Sequence, residues 1–236
     1  MSAMIREGKI RTETCHTCLD KSCATETLIP EELDFIMNNR FVSTIKKKTT
    51  ILNSGSPTSH IIYLREGLVK EYIAGPGIKD RILQINLPHS YLGLTSLFGA
   101  RVNHYSYAAL TDLKVCYIDI GVFTKLIRTN GNFAFEILQS MGEENLSNYH
   151  RFIDQSNKKA YGRIADMLLY FSRVVFSSTK FQIPLSRREM ADMIGTSRES
   201  AGRVLSKFHA EGIIDISGKN LVINDIKKLE KISKLG

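Results

Sequence analysis

The chain has 236 residues, 43% hydrophobic and 24% charged, with a net charge of +8 and an isoelectric point near 9.3. It can fill one large or two ordinary cores, and the composition excludes a disordered chain. No apolar run reaches the roughly 18 to 20 residues of a membrane span, and the opening "MSAMIREGKIRTETC" lacks the apolar core of a signal peptide, so a cytoplasmic protein without a membrane partner is expected.

Three thiols stand close together at the start, Cys15, Cys18 and Cys23 in "CHTCLDKSC", and the fourth, Cys116, follows only much later in "LKVCYI". Four cysteines are too few for a disulfide-stapled scaffold, and a reducing compartment argues against bridges, so a metal or redox role gains weight over a structural one.

From Phe41 to about Ile118 the sequence breaks into short β-rich runs, "FVSTI", "TTIL", "HIIYL", "LVKEYI", "RILQINL", "YSYAAL" and "KVCYI", separated by glycine and proline. This texture predicts a small antiparallel sandwich or barrel-like roll. From Phe133 to about Gln155 no proline occurs, and Leu138, Met141, Asn145, Tyr149 and Phe152 recur at steps of three and four, the spacing of one face of a long helix. That stripe is either core against the β domain or a seam with a second subunit. The polar Asn145 favours the seam, where such a residue sets register at a cost in stability. "QSNKKA" reads as a junction, and "YGRIADMLLYFSRVVF" resumes helical spacing through Ile164, Leu168, Phe171 and Val175. The expected division is a cysteine-rich segment (1–25), a β domain (26–120), a long-helix region (121–157) and a C-terminal domain (158–236).

Residues 160–236 carry 13 Lys and Arg against 8 Asp and Glu, so +5 of the +8 lies in the last third of the chain. An anionic partner is to be sought there. Ser186 with Glu189 forms a capping box for a helix to about Ile194, Gly195 breaks it, and Ser197 caps a second helix bearing Arg198, Glu199 and Arg203. Val204, Leu205 and Phe208 supply its packing face. "IIDISGKNLVI" then predicts a hairpin turning at Gly218. A helix, a glycine turn, a second helix and a wing make a winged helix-turn-helix. Taken singly, a helix with Arg and Glu is an ordinary solvated face. The caps, small Ala191, Gly195, the wing and the local charge are independent demands met together, and they point to double-stranded DNA.

The β-roll, long helix and "TSRESAGRVL" together resemble the Crp/Fnr family of bacterial transcription regulators over nearly the whole chain. The resemblance implies an α+β protein and not an enzyme: a cyclic-nucleotide-binding-like antiparallel β-roll, a long dimerisation helix and a winged helix-turn-helix. It implies a homodimer on a palindromic operator, with RNA polymerase as a further partner. Where cyclic-AMP-binding members carry a glycine–glutamate and an arginine–serine pair, this chain has Gly93–Leu94 and Tyr105–Ser106, with Arg101 displaced. A buried phosphate without its cation costs several kcal/mol, which argues against cyclic nucleotide.

The Fnr branch resembles this chain in an N-terminal cysteine cluster and one cysteine at the end of the roll. The implied ligands of an oxygen-labile [4Fe-4S] cluster are Cys15, Cys18, Cys23 and Cys116, the soft donors such a cluster needs. The gap between Cys18 and Cys23 holds four residues, where the branch commonly has five. Structural zinc, with His16 able to replace one thiol, reversible disulfide sensing and an inert Cys116 remain alternatives, as do haem on His60, His89 or His104 and a small-molecule effector in the β-roll. An iron–sulfur electron carrier or enzyme would use the same thiols but would not need the helix-turn-helix.

In the reading head, Arg198 and Arg203 are expected on guanines and Glu199 on a cytosine. Ser200, Arg187 or Arg188, and Lys219 on the wing are expected on phosphates. "RESAGR" is similar to the cyclic-AMP-responsive branch more than to the Fnr branch, so half-sites like TGTGA are expected rather than TTGAT.

Overall fold

The computed structural model describes residues 14–75, 78–99 and 102–236, with side chains described outside 74–80 and 235; Arg101 lies outside the described residues. Two short helices come first, α1 (Cys23–Glu26), capped by Ser22, and α2 (Pro30–Asn38), which opens on a proline suited to the first helical turn. The roll follows as β1 (Arg40–Ile45), β2 (Thr50–Leu52), β3 (His60–Glu66), β4 (Val69–Gly75), β5 (Ile78–Asn86), β6 (Ser90–Leu92), a short α3 (Leu94–Phe98), β7 (Ser106–Ala109) and β8 (Leu113–Asp119). Two four-stranded antiparallel sheets result, ordered β1-β8-β3-β6 and β2-β7-β4-β5. Ile62, Leu64, Val69, Leu92 and Val115 fill the space between them. The expected strands all appear; β6, three residues long, carries no pattern that a sequence reading can use.

The chain leaves the roll through α4 (Ile120–Thr129) and enters α5 (Gly131–Asn157), whose N-terminus is capped by Asn130 accepting from the Phe133 amide. The first turns of α5 bury Phe133 and Ile137 in a core shared with Cys116, Phe123, Leu33, Ala24 and Leu28. Burying such side chains contributes about 1.5 to 3 kcal/mol each. One face of α5 stays on β5, where Glu144 and Arg151 bond Gln84, and the other exposes Phe135, Leu138, Leu146, Tyr149, Phe152 and Ile153.

The C-terminal unit comprises α6 (Ala160–Tyr170) continued by a π-helical turn (Phe171–Val175), β9 (Lys180–Gln182), α7 (Arg187–Ile194), α8 (Arg198–Ala210), the hairpin β10 (Ile214–Ser217) and β11 (Asn220–Ile223), and α9 (Ile226–Leu235). The capping box forms as expected, with Ser186 Oγ accepting from the Glu189 amide and Glu189 Oε2 from the Ser186 amide. Gly195 closes α7 at φ +67° and Gly218 turns the wing at φ +60°, backbone angles that glycine adopts without strain. Strand β9 pairs with β11, so the wing is a three-stranded sheet rather than a bare hairpin. This unit packs on the roll: Leu68, Ile82, Ile85 and Leu110 belong to the same core as Ile164, Leu168, Met190 and Phe208.

Candidate functional site

Strand pairing places Cys116 of β8 between Val42 of β1 and Tyr63 of β3, in the sheet that faces α2 and the N-terminal segment. Cys15 and Cys116 are buried, Cys18 is half-buried and Cys23 is exposed. Cys15, Cys18 and Cys116 line one small cavity of about 40 Å³, together with Asp20, Arg40, Tyr63 and Arg65; Cys23 is not among its walls. Arg40 donates through Nε to Cys15 Sγ at 3.0 Å and through Nη1 to Cys116 Sγ at 3.8 Å. Burial pushes the Cys116 thiol up, while the Arg40 and Arg65 guanidiniums pull it back.

The segment carrying the first three thiols is tied down at several points. Arg65, itself buried, grips Asp20 Oδ2 at 2.6 Å, and Tyr63 donates to the Asp20 carbonyl at 2.7 Å. Ser22 Oγ lies 2.6 Å from Tyr91 Oη. Helix α1 then packs against the start of α5, which joins the cysteine segment mechanically to the long helix.

The thiols and adjacent guanidiniums suit an anionic thiolate-ligated group, because thiolate is a soft donor and the cations offset its charge. The cavity, however, has room for only a few waters. Among the described residues no three His, Cys, Asp or Glu side chains stand in metal-holding geometry, and a group held by all four thiols would need residues 18–23 to bring Cys23 alongside the others. His16 faces outward, 2.8 Å from Asp34 Oδ1. His60, His89 and His104 sit apart, His60 beside Ser59, His89 on Tyr63 and His104 tilted against Tyr105.

Where β4 and β5 meet α5, the side chains form an acidic network. Gln84 Nε2 donates to Glu71 Oε2 at 2.7 Å and to Glu144 Oε1 at 2.6 Å. Burial, opposed by the Gln84 bond and reinforced by Glu144, raises the Glu71 carboxyl. Leu94 is buried and Tyr105 half-buried, so neither supplies a cation for a phosphate.

At the other end, the exposed face of α8 presents Arg198, Glu199 and Arg203, with Arg203 Nη2 donating to Ser200 Oγ at 3.1 Å. Ser197 caps the helix by accepting from the Ser200 amide. Arg188 is exposed beside Asp192, and Lys219 is exposed in the wing turn. Arg187 departs from its expected surface role: it is half-buried, and its Nη1 is enclosed without a hydrogen-bond partner among the described residues.

On α5, Leu138, Asn145, Tyr149 and Phe152 are exposed together as read from the sequence, whereas Met141 packs partly on its own roll. Phe135, Leu146 and Ile153 extend the apolar stripe. Phe135 lies three residues before Leu138, beyond the start of the stripe as read, and Leu146 and Ile153 follow it at steps of eleven and seven on an adjoining row that a stripe through Asn145 leaves out.

A helix-turn-helix with a free reading face, joined by a long helix to a β-roll, defines a DNA-binding regulator. Residues 42–130 match the cyclic nucleotide-binding domain family and residues 162–232 the Crp-like helix-turn-helix domain family. The chain is 25% identical over 226 residues to the anaerobic regulatory protein of Haemophilus influenzae, covering 93% of this chain and 87% of that one. It is 25% identical over 234 residues to the transcriptional activator protein FnrA of Stutzerimonas stutzeri, covering 95% and 94%. Among solved structures it is similar to FixK2 from Bradyrhizobium japonicum, with a TM-score of 0.74 and 21% identity over 82% of this chain and 96% of that one. The chain belongs to the Crp/Fnr family and is a DNA-binding transcription regulator, not an enzyme. Among the described residues no helix is long and apolar enough to cross a membrane.

Proposed function

We propose that this regulator is a homodimer responding to oxygen or redox state through a [4Fe-4S] cluster held by Cys15, Cys18, Cys23 and Cys116. The observation that carries the reading is the meeting of Cys15, Cys18 and Cys116 around one cavity under Arg40 and Arg65. Relatives described as anaerobic regulators support it. The group would supply a centre that oxidants dismantle.

The rest is done by the chain. With the segment docked, Asp20 is clamped by Arg65 and Tyr63, and Ala24 and Leu28 support Phe133 and Ile137. That support fixes the start of α5 and holds its exposed stripe in line for a second copy. A displaced segment withdraws the support, weakens the seam and releases the operator, a shift between two assembly states. RNA polymerase is the further partner of a DNA-bound dimer, and the cytoplasm its place of work.

Protein purified without oxygen should be brown, carry about four iron and four sulfide per chain and bleach in air. A colourless anaerobic sample holding one stoichiometric zinc overturns the cluster in favour of the structural metal. A normal cluster in Cys116→Ser overturns the four-ligand assignment.

A further inference from the structure

A second cavity, about 540 Å³, lies outside the roll, between β5, the distal half of α5, α6 and α7. Its volume falls in the range of small-molecule sites, roughly 300 to 1,000 Å³. Its walls are mostly apolar, with Leu83, Leu87, Met167, Leu169, Met193 and Ile194 among them. The proposed cysteine site does not touch it.

The charged side chains of its lining, three arginines and three carboxylates, balance formally but do not pair with one another. Each carboxylate is already engaged: Glu144 by Gln84, Asp154 by Lys158, and Asp166 by both Lys158 and Ser233. Arg173 is paired with Glu230. The two other arginines bond only neutral oxygens. Arg151 reaches Gln84 Oε1 and Asn148 Oδ1, and Arg163 Nη1 reaches the Gln155 carbonyl at 3.1 Å. Arg163 Nε is enclosed with no partner among the described residues. Glu71 and Glu144 act on Arg151 through space, but among the described residues no carboxylate bonds either guanidinium, and an added anion would supply that charge-assisted partner.

We propose that this cavity binds a small amphipathic acid, its anionic head held by Arg151 and Arg163 and its aliphatic or aromatic body lying against Leu87, Met167 and Met193. The lining residues Glu144, Ser147, Arg151 and Asp154 occupy a different side of α5 from Leu138, Asn145 and Tyr149, so a second copy on the exposed stripe leaves the cavity open. A ligand there touches the roll, the long helix and the first helix of the reading head at once.

Titration calorimetry on the full chain, with octanoate and 2-naphthoate as probes, tests this. Saturable binding of at least one at one site per chain is expected, with 1-octanol at least tenfold weaker than octanoate. The Arg151→Gln/Arg163→Gln double variant should weaken binding at least tenfold. Ser147→Trp, which fills the rim from the exposed surface of α5 and keeps both arginines in the chain, should abolish it while leaving the thermal midpoint within a few degrees. Absence of binding by both acids at millimolar concentration overturns the proposal. So does binding that neither variant diminishes.

Discussion

Lys70 on the roll donates to Glu189 Oε1 at 2.6 Å, across 119 positions of sequence, and so fastens β4 to the first turn of α7. Glu189 also completes the capping box with Ser186. One carboxylate thus starts the helix-turn-helix and ties it to the sensor domain. Arg81 lies over the same motif, at the Gly195 turn, and bonds Gln155 of α5.

Loss of this tie should cost stability and loosen the two units. Both side chains keep about a quarter of their exposure, 21% for Lys70 and 25% for Glu189, so solvent screening discounts the pair and Lys70→Met should cost about 1 to 2 kcal/mol. Glu189→Ala should cost about 1 kcal/mol more, because the cap goes too. Urea denaturation of the two single variants and the double variant measures the coupling. A coupling energy of zero would show that the contact is incidental.

The same pair carries a pH dependence. Burial works to raise the Glu189 carboxyl, and the Lys70 bond with the Ser186 bonds more than offsets it, leaving it lowered. The tie therefore contributes stability above the ordinary carboxylate range and loses it as pH falls through the lowered value. Glu71 has the opposite sign: burial leads, and its carboxyl is raised. Its contribution is full below the ordinary glutamate value of 4.5 and is lost as pH rises through the raised one. Glu71→Gln should thus stabilise the protein at neutral pH and flatten the fall in stability above pH 4.5. A variant no more stable than the parent at pH 7 would place the cost elsewhere in the network.

The helix-turn-helix was legible because its signals are local: a capping box, a glycine needing φ > 0, and apolar residues at helical spacing. The roll was legible as alternating short strands. What escaped depends on distance. Nothing near Lys70 announces Glu189, and β9 enters the wing sheet through β11 with only three residues. Helix α9 was within reach, since Asp225 caps it and Ile226, Leu229 and Ile232 recur at steps of three. At the cysteines, sequence order gave all four thiols, but only geometry separates Cys23, exposed at the first position of α1, from the three that share a cavity.

The proposed seam on α5 should respond to both polar and apolar changes. Asn145 is exposed amid Leu138, Leu146, Tyr149 and Phe152. Replacing Asn145 with Leu should strengthen association and relax its dependence on the cysteine segment, because an apolar residue packs better at such a position than an amide. Leu146→Lys should weaken it by tenfold or more while leaving the monomer folded, since Leu146 touches no core of its own chain. Sedimentation equilibrium of the anaerobic protein decides. An unchanged balance in both variants would make this stripe an ordinary solvated face.

The reading head yields the most specific expectation. Arg198, Glu199 and Arg203 share the exposed face of α8, and the Ser200 hydroxyl holds the Arg203 guanidinium at 3.1 Å in the free protein. A guanidinium held in advance loses less freedom on meeting the O6 and N7 atoms of a guanine, so Arg203→Ala should cost about 1 to 3 kcal/mol and flatten preference at one base pair of each half-site. Ser200→Ala should weaken the same preference by a smaller factor, because the fork then has to be ordered on binding. Lys219 stands free in the wing turn at Gly218, and Lys219→Ala should weaken all sequences alike and lower the salt slope by about one. Two α8 helices related by a dimer axis call for a palindrome with half-site centres about one helical turn apart. Site selection on anaerobic protein should return half-sites like TGTGA, as the likeness of "RESAGR" to the cyclic-AMP-responsive branch implies, with Arg198 and Arg203 each offering a guanine-matching fork. Recovery of TTGAT, or an Arg203→Ala protein that keeps its sequence preference, would show that these side chains position the helix rather than read the bases.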